Sequence, residues 1–576
     1  MNILTLQTMK RTFSLLIAAL CTSLIINAQD NLSALIPMPN SVTQAKGKPY
    51  RFVEGRTAIA FTNESSTIEF KVDFSLSGVL LEQFERQALQ AVDHLQEIYK
   101  TGCEILEQQQ FVAESLSAII EQRTGVSVPI VADTKADITL SLDPTLQGDE
   151  HYRIEVSRKG IALTGSTTAA LYRAVMTIDQ LLLGDLLATA RDEMMPVVID
   201  DSPRFGYRAM MLDPARHFLP VEDVKFFIDQ MAKYKYNVLQ LHLTDDQGWR
   251  VAIDSHPRLA SPQHYTQDEL RDIIHYAAQR HIEVVPEMDI PGHTVAILAA
   301  YPELSCSHLK NDTASVSHTT NRMVCAANEQ SYKVLTDVIG ELAALFPSPH
   351  IHLGGDEAAV PANWAQCADC QAMMSEKGYT KATQLMTPFF DRILAAVRAE
   401  GKHPILWCEL DNIYPPANDY LFPYPEDVTL VTWRWGLTPT CLTLTKQHGH
   451  PIIMAPGEYA YLDYPQWRND FPEFNNWGMP LSTLENCYKL DPGYGRPAEE
   501  QNHVMGVMGT LWAEAIPDIN RATYMAFPRA LALSEAGWTE MPLRNWESFV
   551  TRMYPNLTDL MKCGVSVRVP YEIVRH

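Results

Sequence analysis

From about residue 204 onward, short apolar runs alternate with longer stretches whose apolar residues recur every three or four positions. The runs are "YRAMMLD", "NVLQLHL", "IEVVPEMD", "HIHLGGDE", "HPILWCE", "VTLVTW", "PIIMAP" and "VMGVMGTLWAE". Continuous apolar runs belong to strands covered on both faces, as in a parallel sheet. The spacing between them predicts helices over about 220–235, 268–280, 330–346 and 380–400. Pro220 followed by Glu222 and Asp223 suits a helix start, where a missing N–H costs nothing and acids meet the dipole. Eight strand–crossover units predict a (β/α)8 barrel domain over 201–576. The region 29–200 follows another rhythm. "ADITLSLD" and "HYRIEVSRKGIALTG" alternate with period two, as half-buried strands do. In "STTAALYRAVMTIDQLLLG", Ala170, Tyr172, Val175, Ile178 and Leu181 fall near one helical face, and helical pattern also covers about 80–122. This predicts a smaller α+β domain ahead of the barrel, without a titratable cluster and so read as a scaffold.

Charge and cysteine content narrow the partners. The net charge of −23 argues against a nucleic-acid backbone, which needs basic patches. Lys10 and Arg11, an apolar core and the small Ala28 read as a signal peptide over 1–28, placing the mature chain in the periplasm or outside the cell. Cys21 raises lipidation, but Leu20 is bulky for that motif. No later run is long and apolar enough to span a bilayer, and nothing in the sequence sets an oligomeric state. Cys367 and Cys370 form a C-x-x-C. Zinc would want a second pair at matching spacing; none stands out, so neither metal nor cofactor is expected. A local disulfide or two free thiols is the plain reading, and Cys306 and Cys325, flanking a polar loop, could be bridged after export.

Barrel enzymes build their sites at the C-terminal strand ends. Read in order, those ends offer Arg208 and Asp213; His242, Asp245 and Asp246; Glu287, Asp289 and His293; Asp356 and Glu357; Trp407 and Glu409; Trp433; Tyr459, Tyr461 and Asp463 in the long 456–503 segment; and Trp512 and Glu514. Any one has an ordinary reading, as a helix cap or a core ring. Their recurrence at one face points to sugar chemistry, with Trp407, Trp433, Trp477 and Trp512 walling a pocket and carboxylates binding hydroxyls. Protonating a glycosidic oxygen needs a carboxyl that keeps its proton. Asp356 and Glu357 are adjacent, so on extended backbone they point apart and do not easily flank one anomeric carbon. Gly354 and Gly355 read as clearance beside them.

"H-x-G-G-D-E" at 352–357 resembles the signature of family 20 glycoside hydrolases, the β-N-acetylhexosaminidases. "MLDPARHF", "LHLTDDQGWR", "PEMDIPGH", "YLD" and "LWAE" occur in that family's order, and the region before the barrel resembles its N-terminal domain. The resemblance implies an exo-acting hydrolase that removes terminal β-linked GlcNAc, with GalNAc also admitted, from an oligosaccharide or glycoconjugate. It implies that the substrate's 2-acetamido oxygen attacks C1 to form an oxazolinium, one of the exceptions to the two-carboxylate scheme. Glu357 is then general acid and base, and Asp356 orients the acetamido group. Arg208, Asp463 and Glu514 bind hydroxyls, and Tyr461 bonds the acetamido oxygen. Trp407, Trp433 and Trp512 form the pocket, with Trp477 or Trp467 beside it. His293 supports Glu357 together with one of Asp245 and Asp246. A two-carboxylate glycosidase and a catalytically silent glycan-binding barrel are the alternatives.

Overall fold

The computed structural model describes residues 31–62, 104–132, 135–183, 192–309, 322–409, 425–468, 480–570 and 573. The export segment, the 80–103 part of the expected helical region and Trp477 lie outside the described residues. The chain forms two compact units, built mainly on 41–201 and on 202–553.

The first unit holds a six-stranded mixed sheet in the order Ser41–Gln44, Val197–Asp201, Tyr152–Ser157, Gly160–Gly165, Ile138–Leu142, Ile59–Phe61. Tyr152–Ser157 alternates buried and exposed positions strictly, so one face carries the core. Thr167 caps the helix Thr168–Leu181 by accepting from the Ala170 N–H at 3.2 Å. A second helix covers 104–124. Strands and helices are segregated, as the α+β reading requires.

The second unit is a closed parallel barrel. Its strands are β1 (Tyr207–Leu212), β2 (Val238–Asp245), β3 (Glu283–Met288), β4 (His350–His352), β5 (His403–Trp407), β6 (Thr429–Thr432), β7 (Ile452–Met454) and β8 (Val504–Leu511). Each pairs in parallel with the next, and β8 closes on β1 with Leu511 opposite Leu212. All eight coincide with the eight apolar runs. β1 and β2 are buried at every position, which explains why no alternation appears in their sequences. The crossover helices start where their sequences say. Val221–Lys233 follows Pro220 with Glu222 and Asp223 in its first turn, and Gln267–Gln279 begins with a Thr266–Glu269 capping box. Met211, Val285, Ile405, Val431, Ile453 and Met508 fill the barrel interior, and Trp407, Tyr461 and Trp512 join that core. Among the described residues no helix is long and apolar enough to cross a membrane.

Candidate active site

The acid pair sits on a bend that glycine makes possible. After β4, Gly354 and Gly355 adopt φ of +66° and +95°. A Cβ on Gly354 would lie 1.8 Å from Asp289 Oδ1, so no other residue fits there. The clearance therefore serves Asp289, whose Oδ1 accepts from the Gly355 N–H at 3.2 Å. Glu357 itself takes φ +48° and His293 takes +51°, sparsely populated conformations for residues with a Cβ. Such strain gathers at functional sites.

His293 joins the two acids. Its Nε2 is 3.8 Å from Asp356 Oδ2 and 3.7 Å from Glu357 Oε2, while its Nδ1 is 3.3 Å from Asp245 Oδ1. Burial works against a charged ring, but Asp245 and Asp289 outweigh it and hold the His293 pKa well above that of free imidazole. Burial pushes Glu357 up, yet the His293 hydrogen bond and charge win and its pKa lies below the usual range. Asp356 goes the other way: burial, with the charges of Glu357 and Glu287, raises it against the pull of His293. Two neighbouring carboxyls are thus driven apart by the deeper burial of Asp356 and by the hydrogen bond that Glu357 takes from His293. Such a split marks groups with different tasks.

Asp245 is the member of its pair that faces this centre. It accepts from Arg216 Nη2 at 2.7 Å and lies 2.9 Å from His242 Nε2. The Arg216 and His293 charges offset its burial and keep it well below the ordinary carboxylate range. Asp246 accepts from the Val295 N–H at 3.1 Å and so supports the His293 loop. Beneath them, Glu287 is fully buried and accepts from Trp407 Nε1 at 2.9 Å and Gln240 Nε2 at 2.8 Å, with His242 Nδ1 2.9 Å away. This network fixes the indole of Trp407 from behind.

Arg208 is a correction. It occupies the second position of β1, at the N-terminal end of the barrel, and is buried. Its guanidinium donates to the carbonyls of Lys235 at 2.8 Å and Phe205 at 2.9 Å and lies over the Trp538 ring. The mouth arginine is Arg216, in the "MLDPARHF" motif that begins three residues after Arg208 and runs beyond the strand. Arg216 Nη1 lies 3.2 Å from Asp213 Oδ2, and its guanidinium sits 4.9 Å from the Trp512 ring centre. Glu514, half-buried after β8, is among the acids whose charge acts on Arg216.

Aromatic rings form the opposite wall. Trp407 and Trp512 have centroids 5.6 Å apart, and Trp433 lies nearly parallel to Tyr461 at 6.4 Å. Tyr461 is pinned by a bridge to Thr510 of β8, and Asp463 follows it, buried. Burial pushes the Tyr461 phenol well up, so it keeps its proton and can donate. Arg434 lies 4.1 Å over the Trp433 ring and contacts both oxygens of Glu409 at 3.1 and 3.2 Å. Burial raises Glu409 to about 7 despite that arginine. Arg434 stands two residues beyond the end of β6 and carries no signal in the sequence beyond standing next to Trp433.

Strand-end acids sharing an imidazolium, faced by an indole-lined wall, define a glycoside hydrolase site on a (β/α)8 barrel. Residues 205–541 match the model of the glycosyl hydrolase family 20 catalytic domain, and residues 88–202 match that family's domain 2. The chain belongs to glycoside hydrolase family 20. A beta-hexosaminidase of Akkermansia muciniphila is 35% identical over 482 residues, covering 81% of this chain and 93% of its own. The exo-β-N-acetylglucosaminidase of Vibrio harveyi, solved with N-acetylglucosamine, aligns with TM-score 0.75 and 27% identity, covering 94% of this chain and 79% of that one. Streptomyces plicatus N-acetyl-β-hexosaminidase, solved with Thio-NAglucal, aligns with TM-score 0.73 and 30% identity over 95% of this chain and 98% of its own.

Proposed function

We propose that the protein is an exo-acting β-N-acetylhexosaminidase that removes terminal β-linked GlcNAc from glycans with retention. The observation that carries this reading is the division between two adjacent carboxyls around His293. Glu357 is half-exposed and paired with the ring, whereas Asp356 is buried and its pKa raised. Before sugar binds, the raised pKa of His293 and the lowered one of Glu357 favour the ring as the seat of the proton they share. A sugar that displaces water adds to the desolvation already weighing on Glu357 and draws that proton to Oε2. Glu357 then protonates the glycosidic oxygen as the C1–O bond breaks. The substrate's acetamido oxygen closes on C1, Asp356 accepts the acetamido N–H, and Tyr461 donates to the oxygen. Water next attacks C1, giving its proton to Glu357 and reopening the ring with the original configuration.

Two assays test this reading. Pure folded protein should release nitrophenol from a nitrophenyl β-N-acetylglucosaminide, and a thiazoline analogue of the oxazolinium should inhibit strongly. Turnover without thiazoline binding would instead support a two-carboxylate glycosidase. The export reading rests on residues 10–29 alone. Its test is the N-terminus of the protein recovered from its own cells, expected at Gln29.

A further inference from the structure

The sugar site uses no cysteine, yet the fold gathers four. Cys306, Cys325, Cys367 and Cys370 are all buried, and their Sγ atoms all lie within 4.8 Å of one another. Cys325 Sγ is 3.9 Å from Cys367 Sγ and 3.6 Å from Cys370 Sγ. Zinc–thiolate bonds of about 2.3 Å give a tetrahedron whose sulfur–sulfur edges are about 3.8 Å. Two of the thiols come from the C-x-x-C that opens the helix Ala368–Lys377: Cys367 is its N-cap residue and Cys370 lies in its first turn. Free amides and the dipole at that end favour thiolates. An antiparallel bridge between Ser305 and Val324 places Cys306 and Cys325 diagonally across it, on one face, so that their Sγ atoms come within 4.8 Å. The second pair that local spacing does not show is thus supplied by chain pairing.

We propose that these four side chains bind a structural zinc ion as a tetrathiolate. Binding Zn2+ displaces the four thiol protons and closes the site, leaving no open position for catalysis. Its place in the barrel gives it a task. Trp364 Nε1 donates to the Val324 carbonyl at 2.9 Å, and the Met323 N–H donates to Asn363 Oδ1 at 3.1 Å. The same strand segment reaches back to the His293 loop, where Thr294 Oγ1 donates to the Arg322 carbonyl at 2.9 Å. The zinc therefore ties the loop bearing His293 to the loop bearing Asp356 and Glu357.

The full chain, purified without chelator, should carry one zinc by elemental mass spectrometry. A mercurial titrated in the presence of a zinc-reporting dye should release that zinc as these four thiols react. Cys367→Ser with Cys370→Ser should lower the zinc content to about a tenth or less, while Cys563→Ser, at an exposed thiol, should keep it. Zinc removal should also lower kcat by about tenfold, because the two loops lose their common anchor. Should the double variant fail to fold, the titration of the unaltered chain decides. Zinc-free protein overturns the proposal, whether peptide mapping then finds these residues in disulfides or as four free thiols.

Discussion

The two sides of the barrel mouth solve different problems. The side built by β1 to β4 is a chain of charges: Arg216 pairs with Asp245, Asp245 with His293, and His293 lies within ion-pair distance of both Asp356 and Glu357. The side built by β5 to β8 is a wall of rings: Trp407, Trp433, Tyr461 and Trp512. On the charged side, function depends on which atom holds a proton, and a single neutral substitution redistributes it. On the aromatic side, function depends on shape and dryness, and the cost of a change scales with the area lost. The charged side should therefore fail in kcat and in its pH profile, the aromatic side in KM.

The largest effect is expected on the charged side. Glu357→Gln removes the group placed to give and take the proton. kcat/KM on substrates with poor leaving groups should fall by about 10³–10⁴-fold, with much less loss for a nitrophenyl leaving group that needs no proton. Asp356→Asn should cost roughly 10²–10³-fold in kcat, because the developing oxazolinium loses its facing charge. Equal losses on both leaving groups for Glu357→Gln would remove Glu357 from the acid role.

A pair of arginines sharpens the boundary of the site. Arg216→Ala should lower kcat/KM by about 100-fold, since it removes charged hydrogen bonds from Asp213 and Asp245. Arg208→Ala should instead cost about 2–3 kcal/mol of stability, measured by denaturant unfolding, and leave KM unchanged. The contrast shows how far the sequence could be read. All eight strands were legible because buried parallel strands leave continuous apolar runs. Most of the strand-end acids and rings followed from counting to the end of each run. Arg208 broke that rule: it precedes the apolar residues of "YRAMMLD", and Arg216, beyond Asp213, satisfies it. What remained hidden depends on contacts between distant segments. The turning of Asp246 toward Val295, the pairing of Arg434 with Glu409 and the meeting of four cysteines all arise from contacts between separated segments that no local spacing records.

His293→Asn should cost roughly 10–100-fold in kcat, and its pH profile is the more telling readout. In the native site activity is lost at high pH only when the raised His293 pKa is passed and the pair gives up its proton. With asparagine, Glu357 must hold that proton alone, so the basic limb moves to lower pH. The acid limb belongs to Asp356, which must be ionised to accept the acetamido N–H. Burial raises its pKa and His293 lowers it, so losing the imidazolium moves this limb to higher pH. The bell should narrow from both sides. A profile that merely drops in height would mean that His293 holds the loop and does not carry the proton.

The smallest effect is expected on the aromatic side, at its most exposed ring. Trp433 is half-buried, stacked near Tyr461 and covered by Arg434, whereas Trp407 and Trp512 are built into the barrel core. Trp407→Ala would confound binding with about 3–5 kcal/mol of lost stability. Trp433→Ala avoids much of that cost, and removes a ring contact worth about 0.5–1.5 kcal/mol. KM should therefore rise by roughly two- to tenfold with kcat nearly unchanged, and Trp433→Phe should restore most of the loss. The unfolding midpoint must stay close to that of the native protein for the KM change to count as binding. A fall in kcat larger than the rise in KM would show that the wall also positions the acetamido group, through Tyr461, and would erase the division between the two sides.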